Sequence, residues 1–201
     1  MGGTMTAESV EHHVRWPVPP QDGYTVDDLF TLPDLPPHTE LIDGSLIFVS
    51  PQRNFHADVI DLLVSGLRLS VPKKFKVKRE MTVVLDRSNA PEPDVSVVWA
   101  NAVSSADQTR YQAQDVLLAV EVVSPDSESR DRTTKPQKYA AAGIPNFWRV
   151  EASGPSGAPV VHVYELDPLT KAYLHMGMHR DRVKVDRPYP IDIDLTAIDE
   201  L

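Results

Sequence analysis

Residues 116–123 read Val-Leu-Leu-Ala-Val-Glu-Val-Val. The run has the composition of a strand buried on both faces, and Glu121 interrupts it. An ionised carboxylate left unpaired there would cost several kcal/mol, so a partner is required. Upstream, Asp94 heads another β-type run in PEPDVSVVW, and downstream Lys135 lies in DRTTKPQKYAAAG, which reads as a short helix. Two acids on strands and a nearby lysine can assemble a site for a hard metal ion with a cationic helper. Such a site suits phosphodiester hydrolysis, which needs a polarised phosphoryl oxygen and an activated water.

Each residue also has a plain structural reading. Glu121 reads equally as a core glutamate paired with an arginine, Asp94 as a strand-start residue after proline, and Lys135 as a solvated surface lysine. The set of three is more specific than its members, because each stands where local structure does not favour it. Pro136 places the helix start near Thr133–Thr134. Lys135 then falls in a first turn that disfavours a cation, unless a phosphate or nearby carboxylates reverse the penalty.

Working outward, residues 1–23 are polar and proline-punctuated and read as a flexible N-terminal arm, ahead of a single domain over 24–201. Thr25-Val-Asp-Asp-Leu-Phe reads as a capped turn or short helix. Asp43-Gly44 between β-prone halves of residues 40–49 signals a two-residue hairpin. Phe55, Val59, Leu62, Leu63 and Leu67 recur at helical spacing, giving a helix over about 54–70. Residues 74–86 alternate as one strand, with Phe75, Val77, Met81, Val83 and Leu85 expected on a single face. A short strand over 94–99, a polar connection over 101–114 and a helix over 134–142 follow. Strands are expected over 146–151, 159–166 and 171–176, and an edge strand around Ile191, Ile193 and Leu195. The fold class is α/β or α+β, a mixed central sheet with one or two packed helices.

The 201 residues suit one domain with a full core, and no apolar run is long enough for a transmembrane helix. Cysteine is absent, which removes thiolate chemistry and Cys-based zinc sites. With no secretory pattern at the N-terminus, a cytoplasmic location is expected. The histidines lack ligand spacing for zinc, Ser124 lacks the flanking glycines of a nucleophile elbow, and no phosphate-binding glycine loop occurs. A net charge of −9 counts against a broad nucleic-acid footprint. A local one remains open: Lys74, Lys76 and Lys78 fall on one face of an alternating strand and can track a phosphate backbone, or else guard a sheet edge.

Several stretches together resemble the PD-(D/E)XK nuclease superfamily, and more narrowly the bacterial Uma family of restriction endonuclease-like proteins. These are TELIDGSLIFVSP (39–51), His56, PEPDVSVV (91–98) and VEVVSPDSESRDRTTKPQKYAAAGIPNFWRVE (120–151). The resemblance implies a restriction-endonuclease-like fold, a mixed sheet flanked by helices, and a homodimer. It implies a DNA endonuclease dependent on Mg²⁺ (or Mn²⁺), with metal held by Asp94, Glu121, the carbonyl of Val122 and the additional acid Glu40. The superfamily's usual lysine, two residues after the glutamate, is Val123 here, and Lys135 matches the helix lysine that takes its place. Tyr139, one turn on, shares its face, and Tyr139 and His56 are the expected supporting residues. The competing expectations are a catalytically silent nuclease-like binding or assembly module, and a hydrolase of RNA or a smaller phosphoester.

Overall fold

A computed structural model describes residues 18–154 and 157–201. Most of the arm expected over residues 1–23 lies outside the described residues. The chain first forms α1 (Val26–Thr31), closed by a capping box in which Thr25 and Asp28 satisfy one another's backbone. A hairpin of β1 (Glu40–Ile42) and β2 (Ser45–Ile47) follows. Its turn residues Asp43 and Gly44 both have positive φ, 48° and 71°, the geometry of the tight hairpin turn that Asp-Gly favours. Gly44 has a second constraint, since a Cβ there would stand 3.2 Å from Gly23 Cα.

Helix α2 (Asn54–Ser70) precedes β3 (Phe75–Arg79), β4 (Thr82–Val84), β5 (Val95–Trp99), β6 (Arg110–Gln112) and β7 (Val116–Val122). Then come α3 (Lys135–Ala141), β8 (Asn146–Ser153), β9 (Ala158–Asp167), β10 (Ala172–His179), β11 (Arg182–Val185) and β12 (Ile191–Asp194). Six strands make the central sheet in the order β10-β9-β8-β7-β5-β3. Only β7 and β8 run parallel in it, because α3 carries the chain back between them as a crossover.

Strand β7 is covered on both sides. Leu118, Val120 and Val122 pack with Ile60, Leu63 and Leu67 of α2 in the main core. Ala119 faces the other way, into a second cluster with Tyr139, Ile144 and Phe147. The sheet is therefore mixed and flanked by helices, as expected. Burying side chains such as Leu63 and Leu67 contributes about 1.5–3 kcal/mol each.

Three expectations need correction. Residues 74–86 are not one strand: Glu80 takes a positive φ of 49° and breaks the alternation. Phe75 and Val77 consequently enter the main core, whereas Val83 enters the second cluster with Met81 and Leu85 beside it. The connection over 101–114 contains a strand, β6, which pairs parallel with β4. The edge strand around Ile191 and Ile193, with Leu195 just past its end, belongs not to the main sheet but to a separate β11–β12 ribbon. That ribbon lays them against α2, where Gly66 leaves room for Ile193. Among the described residues no helix is long and apolar enough to cross a membrane.

Candidate active site

The alternation that sends Val120 and Val122 toward α2 turns Glu121 toward α3. There it is 2% exposed. Its two oxygens are both engaged. Tyr139 donates its hydroxyl to Oε1 at 2.5 Å, and the Lys135 ammonium lies 3.0 Å from Oε2. Lys135 and Tyr139 are four residues apart on α3, so one helix face presents both.

Lys135 reaches two further acids. Its Nζ stands 2.8 Å from Glu40 Oε1 and 3.4 Å from Asp131 Oδ1. Glu40 opens β1 and also accepts the Glu92 N–H at 2.8 Å. Burial alone would favour a neutral lysine, but the fields of Glu121, Glu40 and Asp131 outweigh it and hold the pKa well above the ordinary lysine value. Burial pushes Glu121 well above the usual carboxyl range, although Lys135 pulls it back. Burial likewise holds Tyr139 well above the usual phenol value, so it remains a donor.

Asp94 stands immediately before β5, the antiparallel neighbour of β7. Its Oδ2 accepts the Val122 N–H at 2.6 Å, which ties the acid to the strand that carries Glu121. His56, in the first turn of α2, binds Oδ1 at 2.8 Å. Burial would lower the pKa of this imidazole, but the bond to Asp94 raises it. Glu40, Asp94, Glu121, Val122, Lys135 and His56 all line one cleft of about 450 Å³. The predicted acids, lysine and histidine are thus brought together, with Tyr139 behind them.

The lysines of β3 are not. Lys76 and Lys78 lie on edge strand β3 and Lys74 just before it, and none of the three lines the cleft. Lys74 rests instead over the rings of Phe75 and Trp99, at 5.0 and 6.0 Å. From that basic run only Arg79 reaches the cleft, paired there with Asp61 at 2.6 Å and Glu80 at 2.9 Å.

Asp131 is an acid of the site that sequence reasoning missed. It precedes Lys135 by one turn, is 1% exposed, and has its pKa raised by burial against the opposing pull of Lys135. Its Oδ2 accepts the Ser127 hydroxyl, while Oδ1 lies within the field of Lys135 but has no hydrogen-bond donor. The spacing of Asp131 and Lys135, i and i+4, is a signal only if a helical path runs through both. That path begins earlier than Pro136 suggests, because a π turn over Arg130–Thr134 runs straight into α3. Lys135 accordingly sits inside a continuous coil, its N–H bonded to the Arg130 carbonyl, rather than at a free helix start. Ser124 is a turn residue, as expected: it and Ser127 exchange side-chain-to-backbone hydrogen bonds.

Chemically, three buried carboxylates (Glu40, Glu121 and Asp131) share one ammonium. The surplus of negative charge and the open lone pairs of Asp131 Oδ1 fit a hard cation with oxygen ligands. Among the described residues no three acidic or histidine side chains stand at preformed ligand spacing. Mg²⁺ does not require such a cage, because it takes one or two carboxylates and keeps several waters.

Comparison with known proteins places the chain in a family and supports its fold. The profile of the Uma2 family, described as "Putative restriction endonuclease", matches residues 26–197. A crystal structure from Anabaena variabilis ATCC 29413, described as that of "a putative nuclease belonging to DUF820", superposes with a TM-score of 0.57 at 17% identity. The match covers 88% of this chain and 92% of that one, and at this identity it speaks for the fold. No curated protein matches the chain. With the profile spanning most of its length and the acids and lysine of the resemblance gathered in one cleft, the chain belongs to the Uma2 family.

Proposed function

We propose that this protein is a metal-dependent endonuclease that hydrolyses DNA phosphodiester bonds in the cleft between β7, β1 and α3. The observation that carries the reading is the convergence of Asp94, Glu121 and Lys135 in that cleft, at distances of 2.6–3.0 Å to their neighbours. Asp94 and Glu121, with Glu40 and the Val122 carbonyl, would hold Mg²⁺ or Mn²⁺. When bound, such a cation polarises a phosphoryl oxygen and generates a nucleophilic water near neutral pH.

The remaining work falls to side chains of this chain. Lys135 keeps its proton and so can orient the attacking water or stabilise charge that develops on the phosphoryl oxygens. Tyr139 fixes the Glu121 carboxylate from behind, and His56 with the Val122 N–H fixes Asp94. Because Tyr139 and the Val122 N–H are buried and His56 is half-buried, the acids need little reorganisation to act. Lys76 and Lys78, on the sheet edge outside the cleft, would add salt-sensitive phosphate contacts.

A homodimer completes the proposal. It is supported by the exposed apolar residues Leu174, Met176 and Met178 on edge strand β10, which sedimentation analysis of the wild type and a Leu174→Lys variant would test. A cytoplasmic location accords with the lack of cysteine. The function is tested by incubating labelled duplex DNA, single-stranded DNA and RNA with the protein and Mg²⁺ or Mn²⁺. Cleavage of DNA that is abolished by EDTA is expected. Cleavage of RNA alone, or none with either metal, would refute the assignment.

A further inference from the structure

Five basic side chains line the cleft: His38, His56, Arg79, Arg130 and Lys135. Four are bound to acids of the protein. His38 pairs with Glu92 at 2.5 Å, His56 with Asp94, Arg79 with Asp61 and Glu80, and Lys135 with three carboxylates. Arg130 is different. Among the described residues it makes no ion pair and no side-chain hydrogen bond, and its Nε is buried without an acceptor.

This isolation is not for want of acids. Glu40, Glu80, Glu92, Asp94, Glu121 and Asp131 line the same cleft, yet none is placed to take the guanidinium. A buried N–H without an acceptor is costly, so the position makes sense where an external anion completes it. The guanidinium offers a planar fork that matches a phosphate with two parallel hydrogen bonds. Its backbone is also fixed to the site: Arg130 opens the π turn, and its carbonyl accepts the N–H of Lys135. The fork is therefore carried by the same coil that positions the ammonium.

We propose that Arg130 is the phosphate-binding residue of the cleft, clamping a backbone phosphate of the nucleic acid next to Lys135. The assignment deepens the endonuclease reading and rests on it. It also answers an electrostatic difficulty, because a cleft with surplus acid repels a polyanion unless at least one cation is left unneutralised for it.

The test is binding of a short fluorescein-labelled duplex, followed by anisotropy across a salt titration. It is run in EDTA and again with Ca²⁺, for wild type, Arg130→Gln and Arg130→Lys, with plasmid cleavage by wild type assayed separately. Arg130→Gln is expected to weaken binding about tenfold and to lower the slope of log affinity against log salt by about 0.9, the share of one phosphate contact. Arg130→Lys should keep the wild-type slope while losing a few-fold in affinity, because it retains the charge without the fork. It also shows that weakened binding by Arg130→Gln comes from charge and not from misfolding. A glutamine variant with wild-type affinity and slope would overturn the role of Arg130 while leaving a cutting wild type as a nuclease. A wild type that neither binds nor cuts would overturn both readings.

Discussion

Replacing Lys135 with methionine would remove the single positive charge shared by Glu40, Glu121 and Asp131 and leave the volume nearly unchanged. In the wild type the ammonium stands 2.8, 3.0 and 3.4 Å from oxygens of these three acids. At the effective dielectric suited to protein sites, each pairing is worth on the order of 5 kcal/mol of Coulomb energy. Most of that total is offset by the cost of desolvating the ammonium and by repulsion among the acids. What remains is the penalty for breaking a buried pair, about 3–5 kcal/mol, a large part of a typical domain's stability. The deficit must depend on pH. Burial raises the folded-state pKa of Glu121 and of Asp131, and a raised carboxyl pKa favours the folded state below the unfolded value and loses that support as pH rises. Without the ammonium this decline steepens. In the wild type the raised pKa of Lys135 keeps its own contribution intact until pH climbs past the ordinary lysine range. Urea unfolding followed by the fluorescence of the buried Trp148 at about pH 5 and pH 8 reads this directly. The variant should approach wild type at the lower pH and fall well below it at the higher. Equal stability at both would refute the claim that the ammonium compensates the buried acids.

Tyr139→Phe should destabilise the protein by about 1–3 kcal/mol, since it leaves the buried Oε1 of Glu121 without its donor; chemical denaturation measures the change, and an unchanged midpoint would contradict it. Gly66→Ala should also destabilise, although alanine is the better helix former by about 1 kcal/mol. Its new Cβ would stand 2.7 Å from Ile193 Cγ1, and overpacking of this kind costs about 1–3 kcal/mol; thermal melting should give a lower midpoint than wild type. Asp131→Asn should flatten the fall in stability between about pH 5 and pH 8, because it removes a carboxyl whose pKa burial has raised; a curve parallel to that of wild type would argue against the buried charge. Asp94→Asn should reduce any metal-dependent cleavage by a factor of 100 or more, about 3 kcal/mol of barrier, while leaving the circular dichroism spectrum intact.

Local rules make much of this molecule legible. Glu121 in an apolar strand demands a partner, and the partners are a lysine and a tyrosine one helical turn apart. Asp43-Gly44 marks its turn because few other pairs accept positive φ at both positions. The spacing of Val59, Leu63 and Leu67 marks α2. Other features depend on the tertiary fold. Nothing in KREMTV announces that Glu80 adopts a left-handed conformation, and the period-two pattern continues past it, so the residues read as one strand where two serve different cores. The alternation of Ile191 and Ile193 correctly signals a strand with one buried face. Its partner, the face of α2 around Gly66, is fixed only by packing. Asp131 is hidden by Pro136, which suggests a helix start downstream of it, whereas the coil enters through a π turn. Arg130 cannot be singled out in the sequence at all, because its distinction is the partner it lacks.

Nicking of supercoiled plasmid by wild type, Glu121→Gln and Lys135→Gln with Mg²⁺ or Mn²⁺, each variant first shown to be folded, tests the role of this cleft most directly. Metal-dependent nicking by wild type that is abolished in both variants is the predicted result. Nicking that persists unchanged in folded Glu121→Gln and Lys135→Gln would place the chemistry outside this cleft and contradict the account.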